Sequence, residues 1–317
     1  MKVIDHIQNR QNTLISFEII PPKRGGNFSQ LMNVLEDIVK YEPPFIDITS
    51  HAAEVVYEET PEGEFKLKVK RKRPGTLGIC ALIQNKYNID AVPHVICDGF
   101  TKEETEDFFI ELHYLGIDNV LAIRGDSSAF KKPMKYGRSA NNFAIDLVKQ
   151  ITDMNNGKYL EDSLLNAEKM NFCIGIAGYP EKHIESPNMH TQVQYTKKKI
   201  EAGADYIVTQ MFFDNKKYFD YFELCRQNGI EVPIIPGIKI LTKKAQINTI
   251  PKNFFIDLPD ELSGEIQEAK PEHVAEIGAN WAFKQVEELL NKGVPAIHFY
   301  IMQNSSTIKK LLDKLKI

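Results

Sequence analysis

Eight short apolar runs rich in β-branched residues recur along the chain. They lie at 14–20 (LISFEII), 45–49 (FIDIT), 92–97 (VPHVIC), 119–123 (NVLAI), 172–177 (FCIGIA), 206–210 (YIVTQ), 232–238 (VPIIPGI) and 296–301 (AIHFYI). Amphipathic stretches separate them, among them 102–115, 142–154, 189–202 and 216–228, and Gly116, Gly203 and Gly229 stand where those helices should stop. Strands buried on both faces read as near-continuous apolar runs, and parallel neighbours need crossover helices. Eight such units predict an α/β fold, a (β/α)8 TIM barrel with parallel strands. An open doubly wound sheet is the rival, and it usually has fewer strands.

A barrel of roughly 250 residues plus insertions accounts for nearly all of the 317 residues, so one domain over 1–317 is expected. The segment 54–73, EVVYEETPEGEFKLKVKRKR, breaks the rhythm by running acidic and then basic. It reads as a charged insertion loop or edge hairpin whose halves attract each other, with partner docking or an oligomer contact as the alternative. The last helix, 305–316, carries Ile308, Leu311, Leu312 and Leu315 on one face and should close the barrel, with no C-terminal regulatory domain expected after it.

The formal charge of −4 offers no positive field for nucleic acid or an anionic membrane, which points to small-molecule partners. Cys80, Cys97, Cys173 and Cys225 are far apart and form no C-x-x-C pair. The N-terminus lacks the basic region and continuous apolar core of a leader, and no run reaches 18 apolar residues. A cytoplasmic setting is expected.

Along a barrel strand, side chains alternate between the lumen and the helices. Ile15, Phe17 and Ile19 are the more apolar set of the first strand, so Ser16, Glu18 and Ile20 should face inward. Glu18 then sits at the C-terminal end of its strand, before Pro21-Pro22, on the face where barrel enzymes build active sites. Desolvation there would raise its pKa toward general-acid range; a structural Glu paired with a lumen Lys or Arg is the alternative.

Arg124-Gly125-Asp126 follows the fourth strand, where Arg can hold an anion, Gly permits close approach and Asp can accept a hydrogen bond. Gln210 ends the sixth strand with an amide suited to a heterocycle carrying adjacent donors and acceptors, or simply to backbone. Tyr179 and His183 follow the fifth strand and could stack on a ring system. His183 and His190 have no third ligand at useful spacing, so no metal is expected. Lys198 and Lys199 suit either a phosphate or the helix C-terminus they occupy. Neither a G-x-G-x-x-G nor a P-loop nor a G-x-S-x-G elbow is present, so a nucleotide cofactor would be held by barrel loops.

FEIIPPK, PHVIC, AIRGD, AGYPEKH, GADYIVTQMFFD, VPIIPGI and IHFYIM, in this order over about residues 14–304, resemble the methylenetetrahydrofolate reductases. The resemblance implies a barrel that binds FAD and reduces 5,10-methylenetetrahydrofolate to 5-methyltetrahydrofolate with NADH or NADPH by ping-pong hydride transfer, supplying methyl groups for methionine synthesis. It implies Glu18 as the general acid that protonates the folate nitrogen and opens the ring, with Asp126 between flavin and pterin. It implies flavin contacts at Thr49, Ser50, Ala52, His94, Arg124, Gly125, Asp126, Ala144, Tyr179, His183, Lys198 and Lys199, and substrate contacts at Gln210, Asp126 and Gln246. A homo-oligomer is expected.

The chain departs from the family pattern at Thr49-Ser50-His51-Ala52, at Gln192 and Tyr195 in place of an acid and an amide, and at Asn304 in place of an arginine. Two other readings compete: another flavin barrel, such as a proline dehydrogenase-like oxidoreductase, and a flavin-free or partner-dependent folate-binding subunit.

Overall fold

The computed structural model describes residues 1–125, 136–164 and 166–315. Its strands are β1 (Leu14–Ile19), β2 (Phe45–Ile48), β3 (Glu54–Glu59), β4 (Phe65–Lys70), β5 (Asp90–Ile96), β6 (Asn119–Ile123), β7 (Cys173–Gly178), β8 (Tyr206–Met211), β9 (Ile234–Ile238) and β10 (Ala296–Met302). Eight of them close in the order β1-β10-β9-β8-β7-β6-β5-β2, all pairs parallel, so the chain forms the expected (β/α)8 barrel.

Each of the eight apolar runs became a barrel strand, because a run of β-branched residues can bury both faces at once. Ile15, Phe17 and Ile19 pack outward into the layer between sheet and helices, where Phe17 stacks on Phe299 with ring centroids 6.2 Å apart. Both rings are essentially inaccessible to solvent. Each fully buried side chain of this kind contributes about 1.5–3 kcal/mol. Gly116 and Gly229 take φ of +66° and +74° just past their helices, a conformation that costs glycine little.

The lumen has two unlike ends. Its N-terminal end is an apolar plug of Phe45, Val92, Leu121, Cys173, Tyr206 and Ile235, capped from below by Val3 and Ile7 of the helix Val3–Asn9. Tyr206, the register partner of Gly175 on the neighbouring strand, fills the space that a side chain at Gly175 would need. Water is therefore excluded from the bottom, and polar chemistry is confined to the C-terminal end.

Residues 54–70 leave the barrel as an antiparallel hairpin, β3 with β4. Lys68 and Lys70 both pair with Glu58, and Lys72 pairs with Glu54, so the acidic and basic halves do meet. The opposite face of the hairpin exposes Tyr57, Phe65, Leu67 and Val69. The final helix, Ser306–Leu315, buries Ile308, Leu311 and Leu312 and is pinned to the helix Phe28–Ile38 where Lys309 meets Asp37 at 2.8 Å. Among the described residues, no helix is long and apolar enough to cross a membrane.

Candidate active site

The parity of β1 sends Ser16 and Glu18 into the lumen, as alternation predicts. Glu18 lies opposite Asp47 of β2 and Tyr300 of β10, and Ser16 lies opposite His298. β5 adds His94. Nε2 of His94 stands 3.5 Å from Glu18 Oε2 and 3.5 Å from Asp47 Oδ2. Nε2 of His298 is 3.8 Å from Glu18 Oε2, and its Nδ1 is 3.9 Å from Asp47 Oδ1 and 2.9 Å from Ser16 Oγ. Ser16, Glu18, Asp47, His94 and His298 are all buried, Asp47 and His298 completely.

This arrangement overturns the expected rise of the Glu18 pKa. Burial does push it up, but the nearby His94 and His298 and the more distant Lys239 pull the other way and win, leaving it lowered. Burial pushes His94 down, yet Glu18 and Asp47 outweigh it and raise its pKa. The carboxylate is thus held ionised against an imidazolium. Desolvation alone would raise the Glu18 pKa, and barrel closure brings cationic groups from β5, β10 and the end of β9 close to the carboxylate. Lys239 of the β9 end donates to the Tyr300 carbonyl at 2.6 Å, and burial lowers its pKa to about 8.

Above this layer opens a cavity of about 340 Å3. Its floor is apolar, formed by Ile96, Leu121, Ile123, Ala177 and Val208, and Glu18 and His94 reach it from one side. Thr49, Ser50 and Ala52 line the wall after β2, and Arg124 and Gly125 the wall after β6. Gly125 has φ +103°, and a Cβ there would stand 2.9 Å from Asp98 Oδ2, so only glycine lets the backbone turn so close to that carboxylate. Tyr179 and His183 meet edge to face at 5.0 Å on the β7 side. Gln210 also lines the cavity, its side-chain oxygen accepting from the Met211 amide at 3.0 Å.

Arg124 does not face the cavity unopposed. Glu185, on the segment after β7, accepts from both terminal nitrogens at 2.6 and 2.9 Å. That contact raises the arginine pKa further and lowers that of Glu185.

Four expected site residues lie away from this lining. Ala144 opens the helix Ala144–Asn155. Lys198 is exposed on the helix Met189–Glu201, while Lys199 turns inward, donates to the Ala177 carbonyl at 3.1 Å and has its pKa lowered by burial to about 8. Gln246 turns its side-chain oxygen onto the amides of Thr242 and Lys243 at 2.7 and 2.8 Å. Asp126, expected at both flavin and pterin, lies outside the described residues. Of the departures from the family pattern, Gln192 is buried and accepts from the His183 amide and the Ser186 hydroxyl, Tyr195 is exposed, and Asn304 accepts from the Ser306 amide ahead of the last helix.

The sequence reading passed over Asp47, His298 and Tyr300. The signal was present, since Asp47 in FIDIT and His298 and Tyr300 in AIHFYI share the inward parity of their strands. Among the described residues no group of three or more His, Cys, Asp or Glu is arranged to hold a metal ion.

Residues 2–316 match the family model described as methylenetetrahydrofolate reductase. The methylenetetrahydrofolate reductase 1 of Schizosaccharomyces pombe is 27% identical over 326 residues, covering 99% of this chain and 48% of that protein. The 5,10-methylenetetrahydrofolate reductase of Pectobacterium carotovorum is 27% identical over 301 residues, covering 94% of this chain and 88% of its own length. The chain therefore spans about half the length of the yeast relative and most of the bacterial one. A solved Clostridium thermocellum protein, described as binding two copies of 5-methyl-5,6,7,8-tetrahydrofolic acid, has the same fold with TM-score 0.60 at 15% identity, covering 99% of each chain.

Proposed function

The chain belongs to the methylenetetrahydrofolate reductase family, and from that premise we propose that it reduces 5,10-methylenetetrahydrofolate to 5-methyltetrahydrofolate through FAD, with NADH or NADPH as donor, alternating the two substrates at one site. The observation that carries this reading is Glu18, a buried carboxylate at the mouth of the barrel, in contact with an imidazole and bordering a cavity of about 340 Å3 lined by both apolar and polar side chains.

The residues present fit a flavin. An apolar floor with a polar rim suits a tricyclic ring, and the glycine at 125 leaves room that a Cβ would fill. Thr49, Ser50, Ala52, His94, Arg124, Gly125, Tyr179 and His183 would hold it, and the proposal also assigns it Asp126, Ala144, Lys198 and Lys199. Bound there, FAD supplies reversible hydride storage between nicotinamide and folate.

The chain's own part is binding, orientation and proton delivery. Gln210, Asp126 and Gln246 are assigned to the folate. Gln210 has an amide able to read a pterin edge. The apolar floor excludes water around the reacting carbon. Glu18 delivers a proton from Oε2 to the folate nitrogen, whose bond to the bridging carbon breaks as the nitrogen takes the electron pair, leaving a cation ready for hydride. We assign residues 1–317 to one FAD-binding catalytic domain, acting as a homo-oligomer in the cytoplasm and supplying methyl groups for methionine synthesis. Light scattering and cell fractionation test the assembly and the location.

The purified protein should be yellow, bleach anaerobically with NADH or NADPH, and recolour on addition of methylenetetrahydrofolate. A colourless protein that takes up no added FAD overturns the proposal. Glu18→Gln should keep the bleaching step and lose recolouring; equal loss of both steps removes Glu18 from the acid role.

A further inference from the structure

The most unusual group in the lumen is one the proposed reaction does not use. Asp47 is completely buried, on the strand beside Glu18, and neither of its oxygens makes a hydrogen bond of ordinary geometry with the described residues. A carboxylate removed from water with no donor is costly, and such groups call for an explanation. Its nearest partners are the His94 Nε2 at 3.5 Å and the His298 Nδ1 at 3.9 Å. Neither Nε2 of His94 nor Nε2 of His298 has a hydrogen-bond partner of ordinary geometry either. Two carboxylates therefore flank one imidazole nitrogen at equal distance, in a space closed to water on the plug side.

We propose that Asp47 is a positioning residue that keeps a proton on His94, and that this proton is the one Glu18 delivers. The inference rests on the acid role of Glu18 proposed above. Its chemistry is a single transfer: the His94 Nε2–H bond breaks, a proton bond forms at Glu18 Oε2, and the pair changes from two charges to none. That neutral pair is favoured once a substrate covers the mouth and removes the water that solvates ions. Glu18 then passes the proton to the folate nitrogen, and the cluster regains one from solvent when product leaves. Asp47, 3.5 Å from the same nitrogen, keeps His94 protonated between turnovers.

The other groups around the pair support this division. Lys239 faces Glu18 from β9, and His298 faces both carboxylates from β10. Tyr206, Tyr300 and Cys80 lie in the field of Asp47, and burial pushes each of them up, so they stay neutral. Among the described residues, the two carboxylates, the two imidazoles and Lys239 are left to set where the proton rests.

The sign follows from charge. Removing the negative charge of Asp47 lowers the proton affinity of both His94 and Glu18, so a step that needs the stored proton is lost at lower pH. Asp47→Asn should move the alkaline limb of the folate half-reaction down by about one pH unit or more, while the nicotinamide half-reaction, which consumes no proton, keeps its pH profile. A uniform fall in rate with an unmoved limb assigns Asp47 a structural role only and overturns the proposal. A second measurement needs no variant: nitrogen-15 histidine NMR of the unaltered protein should show the double protonation of His94 persisting above pH 6.5, the ordinary value. A neutral His94 at pH 7 overturns the proposal even if Asp47→Asn does not fold. Failure of the acid reading itself is distinguished by Glu18→Gln, which would then retain folate reduction whatever Asp47 does.

Discussion

Arg124 and Glu185 form a two-pronged pair at the barrel mouth, with nitrogen-to-oxygen distances of 2.6 and 2.9 Å. The arginine belongs to the segment after β6 and the glutamate to the segment after β7, so the pair ties two loops beside the cavity. An anionic cofactor reaching Arg124 must compete with a carboxylate already seated on it. Glu185→Gln should therefore tighten FAD binding by roughly two- to fivefold, the scale of a half-exposed ion pair. Titration of the protein with FAD, followed by flavin fluorescence, reads this directly, and weaker binding would mean that Glu185 positions Arg124 instead.

The Glu18–His94 pair makes stability depend on pH from both sides. Glu18 is lowered from 4.5, so its contribution is present above that value and lost as pH falls through its folded pKa. His94 is raised from 6.5, so its contribution is present below that value and lost as pH rises through its folded pKa. The melting-temperature gap between the native protein and His94→Gln should be widest between about pH 4.5 and 6.5 and narrow on the alkaline side. Scanning calorimetry across pH 4 to 9 checks it, and a gap independent of pH would contradict the pairing.

Gly237 lies where the β9 backbone passes Tyr300. A Cβ there would collide with the Thr209 carbonyl oxygen and the Tyr300 ring, whose hydroxyl donates to that same oxygen at 2.6 Å. Because one collision is with backbone, the side chain alone cannot relieve it. Gly237→Ala should cost about 1–3 kcal/mol or more in urea unfolding and should disturb the folate step through Tyr300, the register partner of Glu18.

The hairpin β3–β4 is exposed along most of its length, and its ion pairs are internal. Replacing residues 56–68 with a short Gly-Ser turn should leave the melting temperature of the barrel within a few degrees, since exposed pairs of this kind contribute little. A large loss of stability would show that the hairpin is part of the folding core.

How much was legible in advance differs by residue. The eight strands, the inward turn of Glu18 and the halts at Gly116 and Gly229 follow from local rules: alternation along a strand, amphipathic spacing along a helix and the backbone freedom of glycine. The same parity rule would have found Asp47 in FIDIT and His298 in AIHFYI. Nothing in either string says that the two side chains meet, because that depends on how β2, β5 and β10 close around β1.

By itself, then, the sequence determined which residues line the barrel and at which end the chemistry collects, since both depend on near neighbours in the chain. Only the tertiary structure decided the charge state of Glu18, the engagement of Arg124 by Glu185 and the position of Asp47 beside a shared imidazole. Electrostatic energies fall off with distance through space, and the partners that set them are far apart in sequence and brought within 4 Å by barrel closure.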